Sequence, residues 1–147
     1  MCVATGGPDT DCTAKLIDVH PPSADYPKGY AMNLTDGIFR CRFHESWTEP
    51  RALEEGHVYA IEIEPFATAN LFRRGHRIRL DVSSSNFPHF DVNPNSGEAP
   101  ALARTPRVAV NRVHFGAGQA SHVVLPLVPV ASLEATQPNP ADSRKTG

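Results

Sequence analysis

Short stretches of alternating apolar and polar residues, cut apart by proline and glycine, run through most of this chain. The clearest is Arg77 to Ser83, where Ile78, Leu80 and Val82 point one way and Arg77, Arg79 and Asp81 the other. Val58 to Glu64 repeats the pattern, with Tyr59, Ile61 and Ile63 set against Ala60, Glu62 and Glu64. Ile38 to Phe43 puts Phe39, Cys41 and Phe43 on one face and Arg40 and Arg42 on the other. A side-chain period of two belongs to β-strands, and strands of this kind bury one face and wet the other. Weaker strands are predicted at Ala14 to Val19, Tyr30 to Leu34, Val108 to His114 and Ser121 to Val128. Pro126 cannot donate a ladder hydrogen bond, so the last of these belongs at an edge or a bulge.

The connections read from turn chemistry. Thr35-Asp36-Gly37 between two strands predicts a tight hairpin turn, because glycine accepts positive φ at little cost. Arg74-Gly75 plays the same part before the Arg77 strand. No segment holds a helical period, and Ala67 to Phe72 offers at most one short helical turn. Ser84 to Pro106 is long and rich in Asn, Pro and Ser, and it carries Phe87 and Phe90. Loops of that length in a compact domain are functional or docked on something, and burying its rings on this domain's core or on another domain is the expectation. Residues 131–147 are polar and hold Pro138 and Pro140, which reads as a disordered tail after a β-domain over residues 1–130.

Composition narrows the function classes. A chain of 147 residues suits one domain. A formal net charge of −2 gives no electrostatic case for nucleic acid or an anionic membrane as a partner. No apolar run reaches the ~18 residues needed to cross a bilayer, and no basic-then-apolar leader follows Met1. Three cysteines, Cys2, Cys12 and Cys41, are an odd count without metal-type spacing. That argues against a disulfide framework and for a reducing, cytoplasmic setting.

Catalytic and ligand motifs are sparse. The Gly-x-Ser-x-Gly elbow of an α/β-hydrolase is missing, as is the βαβ alternation that would carry it. Ser83, Ser84 and Ser85 could be imagined in a triad with His114 or His122 and Asp81, but hydroxyls at a strand end usually bond local backbone. Seven histidines (His20, His44, His57, His76, His89, His114 and His122) show no His-x-His or His-x3-His spacing, so no metal site is expected. Asp91-Val-Asn93-Pro-Asn95-Ser-Gly97-Glu98 resembles a calcium loop, yet its glycine is one place late and position twelve is Leu102. Asx turns are the simpler reading, with a calcium site outside the EF-hand pattern left as a weaker one. Arg73, Arg74, Arg77 and Arg79 read as a solvated basic face balanced by Glu62 and Glu64. From the residues alone, no catalytic group, cofactor site or metal site is therefore expected.

Several separate motifs, in order, resemble one family. They are Asp9-Thr-Asp11 leading into Ala14-Lys-Leu-Ile-Asp-Val19, Asn33-Leu-Thr-Asp-Gly-Ile-Phe-Arg-Cys-Arg-Phe43, and Phe66-Ala-Thr-Ala-Asn-Leu-Phe72. Gly75-His-Arg-Ile-Arg-Leu-Asp-Val-Ser-Ser-Ser-Asn-Phe-Pro-His-Phe-Asp-Val-Asn-Pro-Asn95 and Ser121-His-Val-Val-Leu-Pro126 complete the set. Together they resemble the C-terminal domain of the X-Pro dipeptidyl-peptidase and cocaine-esterase/NonD-like serine hydrolases, over about residues 5–129. The resemblance implies an all-β, jelly-roll (galactose-binding-like) antiparallel β-sandwich, non-catalytic, packed against an α/β-hydrolase domain that holds the Ser, Asp and His. No triad position falls in this chain, so catalytic residues, cofactors and metals are all expected to be none. Cys12 stands where the family carries an aromatic residue. Family members also have a further strand before Asp9-Thr-Asp11, so the resemblance implies a sandwich lacking its first strand or strands, with an exposed edge open to homo-oligomers. Two other functions stay open at this point: a free-standing carbohydrate- or protein-binding module using Trp47, Phe87 and Phe90, and a non-functional gene fragment.

Overall fold

A computed structural model describes residues 1–99 and 101–129. The expected tail at 131–147 lies outside the described residues. Among the described residues, six strands and one short 3-10 turn form the regular structure. In chain order these are β1 (Cys2–Thr5), β2 (Asp11–His20), β3 (Tyr30–Arg40), a 3-10 turn (Cys41–Phe43), β4 (Tyr59–Ala60), β5 (Arg77–Ser83) and β6 (Asn111–His114). They make two antiparallel three-stranded sheets, ordered β4-β1-β6 and β3-β2-β5. This is the all-β sandwich that the alternating pattern predicts.

The core lies where the two sheets meet. Val3 of β1, Cys12 of β2, Phe39 of β3, Cys41, Leu53 and Ile61 form one buried cluster, with Met1, Tyr59 and Ile63 against it. The predicted inward face of Val58 to Glu64 is therefore right in its orientation. Only Tyr59–Ala60 pairs as a strand, however, and the rest packs without a ladder. Cys12 and Cys41 meet with their sulfurs 3.8 Å apart. The hydrogen bond to Cys12, together with burial, pushes the Cys41 thiol up.

β2 and β3 pair from Asp11↔Arg40 to His20↔Tyr30. This corrects the hairpin expected at Thr35-Asp36-Gly37: Asp36 and Gly37 pair with Lys15 and Ala14 inside one long strand, and the chain reverses instead over residues 21–29. Gly37 is needed for closeness rather than for a turn. A Cβ there would sit 3.0 Å from Glu64 O and from Pro65 Cα, both backbone atoms. The true reversal uses Gly29, at φ +67°, whose N–H donates to Tyr26 O. A register shift between Leu16 and Ile17 leaves Leu34 as an extra residue in β3, a β-bulge.

Three further expectations give way to packing. Ser121 to Val128 forms no strand: the Ser121 hydroxyl donates to His114 O, accepts from the Cys2 N–H, and so ties the segment to β1 and β6. Of Val108 to His114 only Asn111–His114 pairs. Ala67 to Phe72 is not helical; Thr35 Oγ1 donates to Phe66 O at 2.6 Å and holds the segment along the sheet. Arg74-Gly75 is a turn as expected, with Gly75 at φ +90°.

β5 departs from the half-buried pattern altogether. It is an edge strand, paired on one side with β2. Its apolar residues Ile78, Leu80 and Val82 are 55%, 43% and 42% exposed, so the row expected in the core faces solvent.

Candidate functional site

Two polar clusters stand out, one at each end of β2. The first joins the start of β2 to the long loop. Asp9, Asp11, Arg42 and Asn93 are all buried. Arg42 forms a close ion pair with Asp9 and donates to Glu98 O at 3.1 Å, while Arg40 pairs with Asp11 at 3.1 Å. Asn93 donates to Asp9 Oδ2 at 2.9 Å and to Asp11 Oδ1 at 2.7 Å. Burial raises the Asp11 carboxyl above the usual carboxylate range, against the opposing pull of Asn93 and Arg40. The arginine face predicted as solvated at Arg40 and Arg42 is thus the wall of a polar core, because Asp9, just before β2, and Asp11, its first residue, neutralise it.

The same cluster accounts for the long loop. Asn95 N–H donates to Asn93 Oδ1 at 2.8 Å, the Asx turn expected from the sequence, and Asn95 sits at φ 57°. The loop docks through Asn93, not through its rings: Phe87 is 71% exposed and Phe90 half-buried beside His89. Of the two dockings expected of the rings, on this domain's core or on another domain, the internal one does not hold for Phe87.

The second cluster lies at the other end of β2. Strand pairing sets Val19 opposite Arg77, so the next positions along, His20 and His76, come face to face. Asp18 lies on the same face as His20, two residues back along the strand. His76 Nδ1 is 2.9 Å from Asp18 Oδ1, and His20 Nε2 is 3.5 Å from Asp18 Oδ2. Asn70 donates to Asp18 Oδ2 at 3.1 Å, and the His20 ring stacks on Tyr30 with centroids 4.2 Å apart. Burial alone would raise the Asp18 carboxyl, but the hydrogen bonds from His76 and Asn70 and the two imidazoles outweigh it and hold it below the usual range. An open cleft of about 410 Å³ sits over these residues, with Leu71 and Arg73 completing its wall. Sequence spacing missed this group because two of its members lie 56 positions apart and only the β2–β5 register joins them. A His-x-His search cannot find Asp18-x-His20 answered by a histidine across the ladder.

The serines assemble no triad. Ser83 O accepts from Thr13, Ser83 Oγ accepts from Ser85 N–H, and Asp81 pairs with Arg79 at 3.0 Å. Among the described residues no hydrogen bond joins Ser83, Ser84 or Ser85 to His114 or His122. Arg79 is balanced by Asp81 on its own strand, not by Glu62 or Glu64 as the pattern suggested. A smaller cleft of about 280 Å³ is lined by His44, Glu45, Arg51, Glu54, His57 and Tyr59, with both histidine rings edge-on to Tyr59.

Comparison with known proteins decides the family. Residues 1–124 match the X-Pro dipeptidyl-peptidase C-terminal non-catalytic domain. The chain belongs to that family. Over 130 residues it is 44% identical to the cocaine esterase of Rhodococcus sp. (strain MB1 Bresler), covering 87% of this chain and 22% of the esterase. Among solved structures, an α-amino acid ester hydrolase superposes with a TM-score of 0.72 at 34% identity, over 80% of this chain and 20% of that one. An aminopeptidase from a marine sediment archaeon, Thaumarchaeota archaeon, gives 0.74 at 34% identity and the same coverage of 80% and 20%. The chain thus spans about a fifth of the length of these relatives, and corresponds to the non-catalytic domain of hydrolase-family proteins. Among the described residues no helix is long and apolar enough to cross a membrane.

Proposed function

We propose that this jelly-roll sandwich packs on, and supports, the α/β-hydrolase domain of a serine hydrolase of the X-Pro dipeptidyl-peptidase or acyl-esterase type. The observation that carries the reading is the row Ile78, Leu80 and Val82 on the open edge strand β5. Apolar side chains aligned on one strand face and left half in water mark a surface that another element covers. Covering the exposed parts of the three would contribute on the order of 1 kcal/mol each. The relatives supply the occupant: they are an esterase, an ester hydrolase and an aminopeptidase, each about five times the span matched here. Their chemistry is acyl transfer at an ester or amide, and that is the substrate class assigned to the partner domain. This chain is expected to hydrolyse neither p-nitrophenyl esters nor X-Pro p-nitroanilides by itself. Turnover abolished by replacing Ser83, Ser84 or Ser85 would contradict that assignment.

A further inference from the structure

We propose that Asp18, His20 and His76 bind a divalent transition-metal ion, with zinc the ion their chemistry suits best. Two neutral imidazoles and a carboxylate are a donor set that zinc accepts readily. In tetrahedral zinc sites, metal–ligand distances of roughly 2.0–2.2 Å place neighbouring donor atoms about 3.3–3.6 Å apart. Here the donor pairs are 2.9 Å for His76 with Asp18 and 3.5 Å for His20 with Asp18, and all three donor atoms lie within 4.8 Å of one another. Small side-chain adjustments suffice to open the shorter pair.

A hydrogen-bonded histidine–aspartate pair explains only part of this arrangement. Asp18 and His76 satisfy each other, but His20 Nε2 is shielded from solvent, faces Asp18 and has no hydrogen-bond partner. An ion between the three groups would satisfy that nitrogen and the carboxylate together. The supports are in place as well. Asn70 holds the Asp18 carboxylate and Tyr30 holds the His20 ring, which is how outer residues orient metal ligands. The cleft of about 410 Å³ above them leaves room for a water in the fourth position. Arg73 on the cleft wall is the one feature opposed to a cation, and it makes an anion the competing ligand.

The test uses the full chain, stripped with a chelator and titrated with zinc chloride by calorimetry, with circular dichroism to confirm the fold. The expected result is one zinc per chain, a higher melting temperature, and visible bands of four-coordinate cobalt when cobalt replaces zinc. His76→Gln risks the fold because Asp18 then loses its main partner, so His20→Gln is the second variant. Each should weaken binding by more than the roughly 10–100-fold that loss of a supporting residue costs, and Asn70→Ala should fall within that range. Arg73→Ala should leave zinc affinity unchanged or raise it. Zinc bound equally by a folded His20→Gln chain would assign the ion to thiols or other histidines and overturn the proposal. So would a failure of the wild-type chain to bind zinc stoichiometrically, or binding of inorganic phosphate that Arg73→Ala abolishes.

Discussion

Asn93 donates its side-chain amide to Asp9 Oδ2 at 2.9 Å from 84 positions away in the chain, and that bond seats the long loop on the sandwich. The same amide nitrogen reaches Asp11 at 2.7 Å, so one neutral side chain donates to two buried carboxylates. Removing it leaves both short of a partner. Asn93→Ala should cost about 2–3 kcal/mol in urea denaturation, and Asn93→Asp, which adds a third negative charge, should cost more.

The two arginines of this cluster should differ sharply. Arg42 is buried against Asp9, whereas the Arg40 side chain keeps 29% of its surface in water beside Asp11. Truncating a buried partner strands an uncompensated charge, so Arg42→Ala is expected to destabilise by about 3–5 kcal/mol. Arg40 lies partly in water and Asp11 keeps its bond from Asn93 when Arg40 is removed, so Arg40→Ala should cost less, about 1 kcal/mol. Equal losses in denaturant melts would mean that the cluster does not separate into these two pairs.

Asp11 sets a pH dependence of known sign. Its folded carboxyl is raised above the unfolded value, chiefly by burial, so between the two values the folded state holds the extra proton. Its contribution to stability is therefore largest at acid pH and is lost as pH rises through the folded value. Asp11→Asn should remove that component and be tolerated at neutral pH to within about 1 kcal/mol, because the charge itself is disfavoured there. Stability of wild type and variant measured from pH 4 to 7 checks both statements: the gap should move in the variant's favour as pH rises.

Gly37→Ala probes the strand that replaces the expected hairpin. The added methyl meets backbone at 3.0 Å on two sides, with no flexible side chain to yield alone. A loss of about 1–3 kcal/mol in thermal or urea melts is expected. A turn glycine at positive φ would instead be strained by any side chain, with no dependence on Glu64 and Pro65.

Much of the fold was legible in the sequence because alternation reports strand faces directly. Ile61 in the core, with Glu62 and Glu64 outside it, follows from that alone. What stayed hidden was set by partners far along the chain. Asp36-Gly37 looks like a turn until β2 pairs with it, and Arg42 looks solvated until Asp9 lies beside it. The motif resemblance carried the family, but not the Asp18, His20 and His76 group, which depends on register. The row on β5 shares a sheet face with buried Ala14, which pairs with Val82, yet it stays exposed, because alternation tells which residues share a face and not whether this chain covers it.

The docking role rests most directly on Leu80, in the middle of that row. Leu80→Asp should change the stability of this chain by no more than about 0.5 kcal/mol, as expected of an exposed site. The decisive measurement mixes the chain, wild type or Leu80→Asp, with the Rhodococcus cocaine esterase shortened by its matched segment, and follows size-exclusion elution together with esterase activity. The prediction is a one-to-one complex and restored activity with the wild-type chain, and neither with Leu80→Asp. Self-association of this chain through β5 without binding the shortened esterase, or complex formation indifferent to Leu80, would contradict it.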